Sequence, residues 1–144
     1  MSMPSALNRP GGVPLQRRVT AKLAVGLTYL LTPLPPRRIR SILALLRRGA
    51  TPATYVQALD ARDAVLASSL SCLGTQGCLR RSLATVLLCR MSGRWPTWCV
   101  GARMLPPFGV HAWVEAEGSL VDEDVPDSYF SRLMAVPPKD HTTA

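Results

Sequence analysis

The sequence predicts an α+β fold in which a helical N-terminal half precedes a small antiparallel sheet. Up to residue 91, apolar side chains recur at intervals of three and four between Pro and Gly breaks, which is the helical period. After Gly93, short runs rich in Val, Trp and Thr lie between turn residues, which favours strands. Helices followed by strands are typical of an α+β arrangement. A length of 144 residues, with 47% apolar and 18% charged side chains, fits one folded domain.

Residues 1–14 are rich in Pro and Gly and show no apolar period, so we predict a flexible arm. The first helix is predicted from Arg17 to Leu31, where the prolines at 33–36 end it. Its apolar residues at helical spacing are Val19, Leu23, Leu27 and Leu30. We expect this apolar face to lie in the core, with a groove for a partner or a contact with a membrane surface as the alternatives.

The next two helices are predicted from similar signals. The second helix is predicted from the apolar residues of Ile39–Leu46. Gly49 is expected to adopt the left-handed conformation that often follows the end of a helix. Thr51 can cap a third helix with Pro52 at its first position, and this helix is predicted to run toward residue 71.

The fourth helix is predicted over Cys78–Met91, and Gly93 ends it. The predicted strands are Thr97–Met104, Val110–Ala116 and Ser119–Val125, with a turn at Glu117-Gly118 between the last two. These elements divide the chain into a flexible arm, a helical N-terminal region, a core of one helix and strands, and a tail, with the bounds 1–14, 15–71, 72–137 and 138–144.

The charge is unevenly distributed along the chain. Residues 1–111 contain 15 basic and 2 acidic side chains, whereas residues 112–144 contain 2 basic and 7 acidic ones. Such a basic region could face nucleic acid, an anionic membrane or an acidic protein. The plainer interpretation is a codon bias toward Arg, with the charges spread over solvated faces. The Arg pairs lack the interleaved aromatic residues of a surface that stacks single strands, which argues against nucleic acid.

The four cysteines at 72, 78, 89 and 99 do not form a C-x-x-C pair, and their spacing matches no common zinc pattern, so we expect no metal. On one helix, Cys78 and Cys89 would lie about 16 Å apart, too far for a disulfide. Reduced thiols are therefore expected, as in a cytoplasmic protein.

Arg17-Arg18 precedes an apolar stretch, Ala24–Leu34, that crudely resembles an export signal. No A-x-A cleavage site follows it, since the next residues are prolines and further arginines. The stretch is also too short for a bilayer span, which needs about 20 residues. We therefore expect no transmembrane segment and a cytoplasmic location.

Cys78 and His111 are the candidate nucleophile and general base. A thiol attacks an amide as its thiolate, and a helix N-terminus together with a neighbouring imidazolium lowers its pKa. With Thr75 or Gly77 as the cap, Cys78 lies in the first turn of the fourth helix. Free backbone N–H groups there can also bind an oxyanion.

His111 begins a predicted strand whose alternation fixes its direction. The pattern places His111, Trp113 and Glu115 on one face, and Ala112 and Val114 on the other. The imidazole could then take the thiol proton and later return it to a leaving amine. The tryptophans are expected mainly in the core, although Trp113 could also line the cleft beside the imidazole.

An acid that orients the imidazole is expected in the run Asp122–Asp124. A two-residue turn between the last two strands would place Asp124 opposite His111, with Asp122 diagonal to it. A three-residue loop would instead bring Glu123 to the face of His111. The sequence permits both registers.

Three ordered motifs resemble a known family. They are Gly77–Ala84 (GCLRRSLA), Gly93–Trp98 (GRWPTW) and His111–Glu115 (HAWVE). Together they resemble the transglutaminase-like leader peptidase of lasso-peptide biosynthesis. The form they resemble more closely is the free-standing peptidase found where the maturation protein is split into a small leader-binding protein and a protease. The resemblance covers about residues 70–136, and the first 70 residues match none of its motifs.

The resemblance implies a papain-like, transglutaminase-like core with a triad of Cys78, His111 and an acid. The spacing in that family puts the acid twelve residues after the histidine, which here is Glu123, where the family more often has Asp. Asp122 and Asp124 remain the alternatives. Implied activity is that of a cysteine endopeptidase that removes the leader from a ribosomally made precursor through a thioester acyl-enzyme, without a cofactor. Implied partners are the precursor, the leader-binding protein and an ATP-dependent macrolactam cyclase.

Two other functions compete with this one. A site of the same type could transfer the acyl group to an amine instead of water. Alternatively, the chain could be a basic nucleic-acid-binding or scaffold protein in which Cys78 is a small buried apolar residue.

Overall fold

The computed structural model describes residues 14–68, 77–106, 108–121 and 129–139. Within these ranges, helices precede an antiparallel sheet, which confirms the predicted α+β class. The helices are α1 Leu15–Leu31, α2 Pro36–Leu46, α3 Tyr55–Ser68 and α4 Cys78–Met91. The strands are β1 Thr51–Pro52, β2 Arg94–Trp95, β3 Thr97–Arg103, β4 Val110–Ala116, β5 Ser119–Leu120 and β6 Phe130–Val136.

Helix α1 forms where it was predicted, but the face that it buries is not the predicted one. Its leucine and valine face, expected in the core, is exposed; the side chains concerned are Val19, Leu23, Leu27 and Leu30. The buried side chains are Ala21, Ala24, Val25, Thr28 and Leu31. Helices α1, α3 and α4 all pack on one another, and alanines fill much of the space between them, because small side chains allow helix axes to approach closely.

Helix α2 and the left-handed residue after it agree with the sequence. The helix ends at Leu46, and Gly49 has a φ of +80°, which a residue with a side chain adopts at a cost. Arg90 of α4 donates hydrogen bonds to the carbonyl oxygens of Leu46 and Arg48, at 2.6 and 3.2 Å, and so satisfies two acceptors at this end.

The predicted start of the third helix at Thr51 is wrong. Thr51-Pro52 forms β1, which pairs in parallel with β2. The helix begins instead after Thr54, whose backbone N–H donates to Gln57 Oε1 while the Gln57 N–H donates to Thr54 Oγ1, at 2.9 and 3.1 Å. This reciprocal pair is a capping box, and it satisfies two N–H groups at the helix start.

Helix α4 has the predicted bounds and is the central element of the fold. Its residues from Arg81 to Cys89 are all buried, because α1 and α3 pack on one side and the sheet on the other. Trp98 of β3 donates its indole N–H to Ser82 Oγ at 3.1 Å, which ties the sheet to this helix. Trp95 and Trp98 are fully buried, as expected for core residues.

The antiparallel sheet has the strand order β5-β4-β3-β6. The β4–β5 hairpin turns at Glu117 and Gly118, with φ values of 54° and 79°, and pairs Ala116 with Ser119. Two residues with positive φ are typical of a type I′ turn. The turn lies at Glu117-Gly118 as predicted, and it is the two-residue one of the two forms that the sequence permitted.

Strand β6, beside β3, was not predicted. It pairs antiparallel with β3, with an irregularity between Val100 and Gly101. The third predicted strand, Ser119–Val125, is described only as far as Val121. Within the described ranges, no helix has the length and apolar character that a membrane span requires.

Candidate active site

Cys78 is the first residue of α4. Gly77 precedes it as the N-cap residue, and its carbonyl accepts the Arg81 N–H at 2.8 Å, which closes the first turn. Gly77 contributes no side-chain cap, so the first N–H groups of the helix have no protein acceptor from that residue. The Cys78 side chain is half-buried, which leaves its sulfur both accessible and close to the positive end of the helix.

His111 lies on β4, opposite Gly101 of β3, and is 6% exposed. Its imidazole and the backbone N–H of the next residue, Ala112, lie near the sulfur of Cys78 and favour the thiolate there. The start of a helix and the start of a strand, 33 residues apart in sequence, therefore meet at one thiol. The structure brings together the two residues that the sequence singled out.

The surroundings of Cys78 favour its thiolate. Burial alone would raise the pKa of the thiol. The hydrogen bonds from His111 and from the Ala112 N–H, with the positive charges of His111 and Arg81, outweigh burial and lower the pKa from 9.0 to about 7. A thiol with such a pKa is about half ionised at neutral pH, as a nucleophilic cysteine requires.

Two other described cysteines have the opposite environment. Burial raises the pKa of Cys89 to about 12, and burial next to the Glu115 carboxylate does the same for Cys99. The described cysteines are free thiols, so Cys78 alone of the three combines access with a lowered pKa. Cys72 lies outside the described residues.

A stack of three rings holds the imidazole. Phe130 of β6 packs against both His111 and Trp113, with ring centroids 4.7 Å from each and interplanar angles of 17° and 20°, and the centroids of His111 and Trp113 are 6.1 Å apart. Tyr129 meets the edge of Phe130 at 5.0 Å. Because aromatic rings in such contacts resist rotation and tilting, they fix the plane of the His111 imidazole.

Gly101 makes room for this stack. It lies on β3, between the strand that carries His111 and the strand that carries Phe130. A Cβ at this position would overlap the backbone oxygen of Ser131 and lie 2.8 Å from Cη2 of Trp113. The absence of a side chain on β3 therefore allows rings from its two neighbouring strands to meet above it.

Glu115 anchors the far end of the stack. Its Oε2 accepts the indole N–H of Trp113 at 2.8 Å and the thiol of Cys99 at 3.3 Å, while its Oε1 forms an ion pair with Arg132 at 2.6 Å. Burial on its own would raise the pKa of Glu115. These hydrogen bonds outweigh burial and hold the pKa below its usual range, so the carboxylate stays charged. The shared face of His111, Trp113 and Glu115 is thus confirmed.

Sequence reasoning missed Phe130, Arg132 and the role of Gly101, because β6 was not predicted. One signal was available: a glycine inside a predicted strand often marks a bulge or a close approach of another group. The candidate acid Glu123, and its alternatives Asp122 and Asp124, lie outside the described residues. The hairpin has the two-residue turn, the register under which Asp124 was expected opposite His111. The identity of the acid stays a prediction.

No group of three or more His, Cys, Asp or Glu side chains that could hold a metal ion occurs in the described part of the chain. The chemistry that the arrangement offers is nucleophilic. A half-ionised thiol, an adjacent imidazole and the N–H groups at a helix start are the parts needed for acyl transfer through a thioester.

The thiolate of Cys78 can be tested directly by alkylation. We expect its reaction rate with iodoacetamide to inflect near pH 7 and to rise with pH, because the thiolate is the reacting form. In His111→Ala the imidazole is lost while burial of the sulfur remains, so the pKa of the Cys78 thiol rises. The rate at pH 7 should then fall roughly tenfold, after allowing for the greater nucleophilicity of a more basic thiolate.

Cys89 and Cys99 are the internal controls, since both should stay unlabelled in the native protein at pH 7. Peptide mapping by mass spectrometry assigns the label to each cysteine. An inflection near pH 9 in the unmodified protein, or the same inflection with and without His111, would contradict the geometry described above.

One comparison with known proteins identifies the family of the fold. A sequence model of the transglutaminase-like superfamily matches residues 21–135, which is about four fifths of the chain. The match starts within α1 and ends within β6, so it includes the helical N-terminal half as well as the site. No curated protein and no solved structure matches the chain.

Proposed function

Because the chain belongs to the transglutaminase-like superfamily, we propose that it is a cysteine endopeptidase that removes the leader from a lasso-peptide precursor. That superfamily includes both cysteine proteases and acyltransferases. The observation that carries the proposal is the placement of the Cys78 thiol beside His111 at the start of α4, with the thiol pKa lowered to about 7.

The reaction follows from this pair. The Cys78 thiolate attacks the carbonyl carbon of the scissile amide, and the oxyanion that forms is stabilised by N–H groups at the start of α4. His111, protonated, gives its proton to the leaving nitrogen as the C–N bond breaks. The core peptide leaves with a free amine, and the leader stays attached to sulfur as a thioester.

Water resolves the thioester. His111, now neutral, takes a proton from water, and the resulting hydroxide equivalent attacks the thioester carbonyl. The C–S bond breaks, the leader leaves with a free carboxylate, and the thiolate and imidazolium are regenerated. Glu123, with Asp122 and Asp124 as the alternatives, is the proposed acid that orients the imidazole.

The proposal of leader removal is supported by the positions of the three motifs that resemble the leader peptidases. Gly77–Ala84 forms the start of α4, Gly93–Trp98 leads through β2 into β3, and His111–Glu115 lies within β4. The first and third motifs supply the thiol and the imidazole. The second motif supplies Trp95 and Trp98, which are both buried. Trp95 of β2 donates a hydrogen bond to the Val136 carbonyl of β6, and Trp98 of β3 donates one to Ser82 of α4.

The proposed partners follow from the same resemblance. A small leader-binding protein would present the precursor, and an ATP-dependent cyclase would close a macrolactam on the amine that cleavage frees. We place these steps in the cytoplasm, where thiols are kept reduced.

The test is incubation of the full chain with the precursor peptide encoded beside it, with and without the neighbouring leader-binding protein. Intact-mass analysis should show two fragments whose masses add up to that of the precursor plus one water. Adding a primary amine such as methylamine should leave the products unchanged. Amide-linked adducts in place of a free leader carboxylate would assign the site to acyl transfer, and an uncut precursor under both conditions would refute leader removal.

A further inference from the structure

The outward face of α1 is apolar along its whole length. Five large side chains at steps of three and four residues form this surface, which we call the α1 face. They are exposed to the following extents: Leu15 77%, Val19 52%, Leu23 60%, Leu27 43% and Leu30 71%. A continuous stripe of this kind on a folded domain marks a binding surface, whereas single exposed apolar residues do not.

Packing within the chain does not account for the α1 face. Helix α1 already buries its opposite, alanine-rich side against α3 and α4. A helix of a globular protein normally turns its large apolar residues inward and its small or polar ones outward. Here that order is reversed, and nothing within the described residues covers the leucines.

Gly26 adds an independent observation. It lies within the α1 face, and a Cβ built on it would meet nothing within 4 Å. Glycine inside a helix destabilises it relative to alanine, and no contact within the described chain requires glycine at this position. A glycine among large apolar residues leaves a notch in the surface, into which a partner's backbone or side chain can approach closely.

The charge of the first two helices restricts the kind of partner. The first 59 residues contain nine basic side chains and no acidic one. Six of the nine lie on α1 and α2, at Arg17, Arg18, Lys22, Arg37, Arg38 and Arg40. Of these, Arg17 is ion-paired with Asp60 of α3 at 3.1 Å. A second copy of this chain would bring the same positive charge to the interface and be repelled, whereas an acidic partner would be attracted.

The α1 face also extends toward the candidate active site. Near its C-terminal end, the Tyr29 ring lies under the Arg80 guanidinium, 4.2 Å from ring centroid to carbon. Arg80 is two residues from Cys78 in the first turn of α4. A molecule bound along α1 would therefore end close to the start of α4, where Cys78 lies.

We propose that the α1 face binds an amphipathic helix of an acidic protein partner. Aliphatic residues at i, i+4 spacing form the ridges into which another helix packs, and the notch at Gly26 suits close helix approach. This binding does not depend on the proposed peptidase activity; if both hold, the partner delivers the peptide to Cys78.

The probe is a synthetic helical peptide with Leu on one face and Glu on the other. Fluorescence anisotropy with the full chain should show saturable binding that weakens as salt is added. Leu23→Ser and Leu27→Ser should each weaken binding at least tenfold. The matched control is Val56→Ser on α3, an equally exposed apolar position, 73% accessible, which should bind the peptide as the unmodified chain does.

Gly26→Ala gives a second readout that a destabilised protein cannot imitate. Alanine should raise the melting temperature of the free chain, since the position is helical and open. The same substitution should weaken peptide binding, because a methyl group fills the notch. Higher stability together with lower affinity is the expected pair of results.

Several outcomes would overturn the proposal. One is equal affinity for a peptide of the same composition with its leucines spread around the helix. Another is unchanged affinity in the Leu23 and Leu27 variants, or no saturable binding at all. Binding to phosphatidylglycerol vesicles without peptide binding would assign the face to a membrane, and dimers in light scattering that Leu23→Ser dissolves would assign it to self-association.

Discussion

Cys78→Ala is expected to abolish cleavage of the precursor. Cys78 is the proposed nucleophile of the acyl-enzyme, and no other described thiol has a lowered pKa. Loss of a nucleophile typically reduces turnover by at least about a thousandfold, because only binding and the oxyanion donors remain. The measurement is the single-turnover rate of precursor cleavage with excess protein, followed by mass spectrometry.

Cys89→Ala is the matched control for this prediction. Cys89 lies on the same helix but is buried, with a pKa raised to about 12, so its removal should leave the cleavage rate within a few-fold of the unmodified value. The cleavage rate of His111→Ala should resemble that of Cys78→Ala, because the effects of removing residues that act as one unit do not add up. Residual cleavage by Cys78→Ala at the native rate would mean that the nucleophile lies elsewhere.

Local signals in the sequence predicted the positions of the elements well. Helix α4 has both of its predicted ends, because Gly77 and Gly93 interrupt the apolar period on either side. The hairpin turn was predicted correctly because Glu117-Gly118 lies between alternating strands. Each of these features depends on contacts within a few residues, which a sequence records directly.

The orientation of α1 could not be predicted from its own sequence. The helical period fixes which residues share a face but not which face the neighbouring helices contact. Alanines on α3 and α4 form a surface that small residues such as Ala21 and Ala24 fit closely, so the leucine side is left outside. The start of α3 was wrong for a similar reason, since Pro52 belongs to a strand whose partner, β2, is more than forty residues away.

The candidate site also combines residues that local sequence signals reveal with residues that only distant contacts bring in. Cys78 and His111 stand out by residue type and by motif. Phe130 and Arg132 come from β6, and their importance depends on its pairing with β3, which no local pattern announces. Contacts that support a site from a strand distant in sequence, as those from β6 do here, are therefore the part of a site most easily missed from one sequence.

Gly101→Ala is expected to be the most destabilising single-methyl substitution in the described sheet. The added Cβ would overlap the Ser131 backbone oxygen and lie 2.8 Å from the Trp113 ring. The backbone of β6 cannot move without breaking its pairing with β3, so we expect the free energy of unfolding to fall by about 2–4 kcal/mol. Urea denaturation followed by tryptophan fluorescence measures this change.

Gly109→Ala provides the comparison, because its Cβ would meet only the end of the flexible Arg103 side chain at 3.5 Å. That variant should be neutral or slightly stabilised. In the fraction of Gly101→Ala that remains folded, displacement of Trp113 should also loosen Phe130 and the imidazole that it stacks on. Alkylation of Cys78 should then inflect at a higher pH than in the unmodified chain. Equal stability of the two alanine variants would show that β3 and β6 can separate without cost, and that Gly101 is not what brings the three rings together.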